Sequence, residues 1–191
     1  MAPMNYKLYK NVQIEYLCEN PGSFAPCVQQ HPLFIEDMRK QIEKYVSEKV
    51  DTCFKTLKGE YERRVTTVVL GAQALSLTFG IGKIYVNITR SIVLSKDNQV
   101  LTIEYFPVEM NSPLYDLGNV AVEIANQEAR YCHFDTLGYS LLSPQFTIHK
   151  ATLSDETLIY QIRDEPTKKE LSIAIRGCSI PSTLGGLEEA S

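Results

Sequence analysis

The sequence is poor in the groups that do chemistry. No stretch approaches the roughly 18 consecutive apolar residues a membrane-spanning helix needs. Residues 1–10 lack the basic-then-apolar layout of a secretory leader. A setting in the cytosol or nucleus, without membrane, is therefore expected. Histidine occurs only at His31, His133 and His149, which leaves few candidate bases. There is no Gly-x-Ser-x-Gly elbow. The absence of any Cys-x-x-Cys pair excludes a zinc ribbon. The five cysteines, Cys18, Cys27, Cys53, Cys132 and Cys178, are odd in number and widely spaced, which fits inert thiols better than a disulfide framework. Asn87-Ile88-Thr89 matches a glycosylation sequon and, with no leader ahead of it, reads as a chance match.

What is present suits a packed core. Hydrophobic residues make up 44% and charged residues 22%, close to globular averages. The net charge of −4 is unevenly spread. Residues 1–107 hold 13 lysines and arginines against 11 acids, a balance of +2, while residues 108–191 hold 6 against 12, a balance of −6. Phosphate neutralisation supplies most nonspecific nucleic-acid affinity, so any RNA binding by the second half must be weak or local.

Residues 5–17 alternate apolar and polar as a strand does, with a break in phase at Lys10-Asn11. Residues 18–30, with Pro21, Gly22 and Pro26, read as a loop closed by His31-Pro32. From Phe34 to about Leu57, Ile35, Met38, Ile42, Val46, Val50, Cys53 and Leu57 recur at three- and four-residue steps, which predicts one amphipathic helix capped by Gly59. Short β-rich runs follow over residues 65–70, 74–79, 84–94 and 100–108, the last two joined by Ser95-Lys96-Asp97-Asn98. A long helix over an antiparallel sheet gives an α+β first domain, residues 1–107.

Beyond the break near Pro113, five strand candidates lie near residues 120–125, 130–134, 145–149, 157–163 and 171–176. Five short strands in about 80 residues suggest an OB-like all-β barrel over residues 108–191, or another small barrel or sandwich. Exposed rings on such a barrel stack on unpaired bases. Tyr131 and Phe134 have opposite parity on one candidate strand, so whichever faces outward is the stacking candidate, core filling being the alternative. Gly80-Ile81-Gly82-Lys83 lacks full Walker spacing and reads as a turn. The acidic pairs Asp155-Glu156 and Asp164-Glu165 read as solvent-facing. No catalytic residue, metal or cofactor is expected.

The order of elements resembles that of the larger stalk subunit of RNA polymerases, the family of the seventh subunit of RNA polymerase II and its archaeal counterpart. The resemblance rests on Tyr6-Lys7-Leu8, His31-Pro32 with Phe34, the hairpin from Tyr85 to Leu94 and Val100 to Tyr105, and the run 173–179 followed by Leu184-Gly185-Gly186-Leu187. The chain departs from the family at residues 18–30, at the hairpin turn and over residues 111–143. The resemblance implies a noncatalytic subunit that docks on polymerase core subunits beside a smaller helical stalk partner, with its barrel near single-stranded nascent RNA. It implies core docking by His31, Pro32 and Phe34 together with Gly80, Ile81 and Gly82. The other readings are a freestanding single-stranded nucleic-acid-binding OB protein and a viral or cellular assembly protein that self-associates.

Overall fold

The computed structural model describes residues 5–20, 27–63 and 67–177. Its elements are β1 (Tyr6–Tyr9), β2 (Val12–Glu19), β3 (Val28–Gln29), α1 (Phe34–Glu62), β4 (Thr67–Gly80), β5 (Lys83–Lys96), β6 (Gln99–Asn111), α2 (Leu114–Tyr131), α3 (Thr136–Leu142), β7 (Phe146–Thr152), β8 (Leu158–Asp164) and β9 (Glu170–Arg176). The architecture is mixed α+β, with one long helix and two sheets. The division does not fall at 107/108. One compact unit comprises Met1–Phe34 with Asp116–Ser191, and Ile35–Tyr115 forms the other. The second unit is thus inserted, in sequence, between the parts of the first.

The inserted unit is the expected helix on the expected sheet. α1 continues through Gly59, so that glycine is not its cap. Its apolar stripe is centred on Phe54, with Ile42, Val50 and Leu57 packing onto the sheet, while Cys53 points to solvent. The sheet is antiparallel in the order β4-β5-β6. The two runs expected at 65–70 and 74–79 are one strand, β4, with a register shift between Leu70 and Gln73. β5 and β6 meet at Asp97-Asn98, both at positive φ, the signature of a two-residue type I′ turn. Alternation along β5 places Ile84, Val86, Ile88 and Ile92 in the core beneath α1. Arg90 is buried on that same face, its Nη1 2.8 Å from Asp51 Oδ1 and 3.0 Å from Gln73 Oε1. Lys55, then Arg90, hold the Asp51 carboxyl below its ordinary range.

The other unit corrects the barrel expectation. Its sheet runs β1-β2-β9-β8-β7, with β3 against β2, and no closed barrel is formed by the described strands. β2 and β9 are parallel, and the remaining neighbours are antiparallel. The phase break at Lys10-Asn11 is the β1–β2 turn, with both residues at positive φ. β7, β8 and β9 stand near the last three expected strands. The first two are absent: residues 120–125 lie inside α2, and residues 130–134 cover its end and the loop after it. The local alternation of Val120-Ala121-Val122-Glu123-Ile124 imitates a strand. A longer window shows Leu117, Val120, Ala121, Ile124, Ala125 and Glu128 buried at helical spacing. The apolar ones among these meet Leu17, Phe146, Ile148, Ile162 and Ile175 from the sheet in the larger core.

The cysteines also differ from expectation. Cys18 and Cys27 form a disulfide with a sulfur separation of 2.06 Å, both buried in that core. Cys132 is disulfide-bonded as well, and Cys53 is the free thiol among the described residues. Cys178 and the Leu184–Leu187 tail used for the stalk resemblance lie outside the described residues.

Candidate functional site

In the inserted unit, the two outer strands of the sheet are finished differently. β4 is plugged from α1. The backbone N–H of Leu77 donates to Glu43 Oε2 at 3.1 Å, and Arg39 Nη1 donates to the Leu77 carbonyl at 3.1 Å. Arg39 is in turn clamped by Glu36 and Glu43; Arg39 holds the Glu36 carboxyl below its ordinary range. Gln73 Nε2 reaches the Ser47 carbonyl at 3.0 Å, a second tie between that strand and the helix.

β6 has no such guard. Of its 13 residues only Phe106 is even half-buried, and its ring packs edge-on to Phe54 at 5.3 Å. Register with the buried face of β5 sets Leu101, Ile103, Phe106, Val108 and Met110 on the helix side of the sheet. Yet Leu101 is 56% exposed and Ile103 39% exposed, while Val100 is 68% exposed. An apolar pocket of about 170 Å³ opens between α1 and the sheet, lined by Phe54, Leu57, Tyr61, Leu94, Ile103 and Phe106 among others. Glu104 is the one charge between Gln99 and Tyr105.

Backbone polarity sharpens this edge. In a two-residue hairpin the pair flanking the turn exchanges hydrogen bonds. Lys96 and Gln99 are that pair here. Counting on from them, Gln99, Leu101 and Ile103 bond to β5, while Val100 and Thr102 turn their N–H and C=O groups to the open side. Pro107 lies opposite Asn87 and has no donor, so a neighbouring strand cannot pair past it. Near the far end Lys83 is paired with Glu109, which raises the lysine pKa.

The residues singled out from sequence are dispersed. His31 Nε2 lies 3.1 Å from Glu15 Oε1, and the His31 carbonyl accepts the Phe34 N–H at 3.1 Å. Pro32 is exposed. Phe34 is buried in the core of the first unit, so its role there is packing. Gly80, Ile81 and Gly82 belong to the inserted unit, at the β4–β5 turn, where Gly82 has φ +65° and Ile81 is exposed. The two groups named for core docking therefore fall in different compact units. Phe134 is 2% exposed, between Tyr139 and Tyr160, and Tyr131 is 63% exposed on the last turn of α2. Of the stacking pair only Tyr131 offers a ring. Asp155 pairs with Lys7, while Asp164 is buried and accepts from the Thr167 N–H at 2.9 Å, contrary to a solvent-facing reading.

Besides Arg90 and Asp51, ionisable side chains converge at a buried place in the first unit. Tyr160 donates its hydroxyl to Glu128 Oε1, and Lys150 Nζ lies 3.3 Å from the same oxygen. Burial, then Glu128, pushes the Tyr160 pKa up. Tyr160 and Glu128 are closed off from solvent, and the trio ties α2 to β7 and β8. Among the described residues no group of three or more His, Cys, Asp or Glu is placed to hold a metal ion, and no described helix is long and apolar enough to cross a membrane. The β6 edge escaped the sequence reading. Its residues alternate like those of any half-buried strand, and the missing cover shows only once α1 is seen to lean toward β4. Compared with protein-family models, curated proteins and solved structures, the chain matches none.

Proposed function

We propose that this is a noncatalytic assembly protein that self-associates through β6, a second copy of the chain supplying the neighbouring strand. The observation that carries this reading is a 13-residue edge strand exposed along nearly its whole length, in a sheet whose other edge is plugged by Glu43 and Arg39. Open edges invite pairing with another chain, and proteins ordinarily blunt them.

A second copy fits better than an unrelated strand because residues 99–105 complement themselves. Paired antiparallel about Thr102, Leu101 of one copy faces Ile103 of the other on the helix side, and Thr102 meets Thr102. Such like pairs stabilise a ladder. Seven paired residues span about 24 Å. A single strand pair is a small contact beside the roughly 1,600 Å² of a standard interface, so the dimer should dissociate on dilution.

Docking on polymerase core subunits beside a helical partner, the role the stalk resemblance implies, draws no support from a chain that is helical over residues 114–131 and 136–142. For single-stranded RNA binding through a barrel, the described residues offer neither a closed barrel nor an exposed Phe134 ring.

Analytical ultracentrifugation of the full chain across a concentration series tests the proposal. A monomer–dimer equilibrium is expected, abolished by Thr102→Pro, which removes an outward donor and leaves the β5–β6 ladder intact. A wild-type chain that stays monomeric at every concentration, or a Thr102→Pro variant that dimerises equally well, overturns it.

A further inference from the structure

The sequon Asn87-Ile88-Thr89 lies on β5, on the sheet face turned away from α1. Val86 and Ile88 are buried beneath the helix, so alternation sends Tyr85, Asn87 and Thr89 to the opposite face. Across the ladder Asn87 stands between Ser76 and Pro107, and Thr89 between Ala74 and Tyr105. Ala74, Ser76 and Thr78 on β4 are small and exposed, which leaves the floor around Asn87 open. Asn87 Oδ1 accepts the Tyr105 hydroxyl at 2.8 Å. That bond fixes the amide with Nδ2 away from its neighbour.

A second observation bears on the compartment. Cys18 and Cys27 are paired, and Cys132 is disulfide-bonded too. Disulfides persist in oxidising surroundings such as the secretory lumen and are rare in the cytosol and nucleus. That lumen is also where asparagine glycosylation takes place, so the disulfides weigh against the chance reading that the lack of a leader in residues 1–10 suggested.

We infer that Asn87 carries an N-linked glycan and that the chain travels the secretory route. The Tyr105 hydroxyl occupies Oδ1 alone, which leaves Nδ2 as the atom of the Asn87 side chain open to attachment. The donor class is an oligosaccharide linked through diphosphate to a polyprenyl lipid. A bond forms between Asn87 Nδ2 and C1 of the first N-acetylglucosamine. The C1–O bond to the diphosphate breaks, its oxygen keeps the electron pair, one amide proton leaves, and nothing is oxidised or reduced. A glycan is bulky and solubilising, so it would screen this face and leave the β6 edge open. The inference does not depend on self-association.

The test is mass spectrometry of the protein recovered from its own cells. Trypsin cuts after Lys83 and Arg90, releasing residues 84–90 with Asn87 inside. The expected peptide carries a hexosamine-based glycan, and enzymatic deglycosylation converts Asn87 to Asp. In microsomes, the full chain delivered behind a cleavable leader should gain one endoglycosidase-sensitive glycan that Asn87→Gln and Thr89→Ala both lose. Native peptide 84–90 that is wholly unmodified, or a Thr89→Ala chain glycosylated as fully as wild type, overturns the inference.

Discussion

The carboxylate of Glu43 accepts a hydrogen bond from the backbone N–H of Leu77 across 3.1 Å. With Arg39 on the carbonyl of the same residue, α1 supplies side chains where another strand would supply backbone. The β4 edge is thereby blocked at Leu77, and a sheet with one blocked edge and one open edge favours a closed pair over a chain of copies. Opening the β4 edge should change the product. An Arg39→Ala, Glu43→Ala double variant is expected to form particles that grow with concentration, because β4 of one copy can then meet β6 of the next. Light scattering checks this, and adding Thr102→Pro should suppress the growth.

Phe134 and Tyr131 separate packing from surface. Phe134 fills the core between Tyr139 and Tyr160, and deleting such a ring costs about 3–5 kcal/mol. Tyr131 is exposed, and its removal should stay within about 0.5 kcal/mol. Chemical denaturation of Phe134→Ala and Tyr131→Ala measures both values. A mild Phe134→Ala would mean that the α2–α3 corner is not packed around that ring.

The periodic elements were legible in the sequence, and the exceptions have physical causes. The helix beginning at Phe34 and the β5–β6 hairpin follow from patterns sustained over a dozen residues or more. α2 was missed because Val120 to Ile124 alternates over five residues and Glu128 interrupts the apolar stripe. That glutamate is buried because Tyr160 and Lys150 satisfy it, and both lie more than 20 positions away in sequence. The Cys18–Cys27 pair escaped for a similar reason: β2 and β3 must first be adjacent, with Cys18 opposite Gln29 and Glu19 opposite Val28. The candidate edge needed the position of α1, which no local pattern encodes.

The buried trio gives a third expectation. Tyr160→Phe leaves Glu128 closed off from solvent with Lys150 as its remaining donor, and losing a hydrogen bond to a charged group costs about 1.5–3 kcal/mol. Since burial and the neighbouring carboxylate both oppose tyrosinate, Tyr160 should be the last tyrosine to ionise in an alkaline absorbance titration. In Tyr160→Phe the high-pH end of that titration should lose one tyrosine's amplitude.

Acid should loosen the attachment of β1. Lys7, on β1, pairs with Asp155 in the turn after β7, and this holds the Asp155 carboxyl below its ordinary value of 3.8, with burial opposing. The folded pKa thus lies below the unfolded one. The pair's contribution is present above about pH 4 and fades as pH falls through the folded value. Asp155→Asn should remove that part of the acid dependence, seen as a shallower loss of stability below pH 4 in denaturant titrations. An unchanged acid limb would show that other carboxylates govern it.

The Cys18–Cys27 bridge sets the last expectation. Both sulfurs lie in the core of the first unit, and the bond spans nine positions in sequence. Closing a loop of that size restricts the unfolded chain by about 2.7 kcal/mol if the effect is entropic. A Cys18→Ala, Cys27→Ala double variant should lose about 2–4 kcal/mol, measured by denaturation without reductant so that the bond at Cys132 stays intact. Thiol counting offers an independent check on the wild-type chain. Exposed Cys53 should react with a maleimide in the native state, whereas Cys18 and Cys27 should become reactive only after unfolding in reductant. If Cys18 and Cys27 of the unfolded chain react without reductant, they are free thiols, and the oxidising compartment argued from the bridge loses its footing.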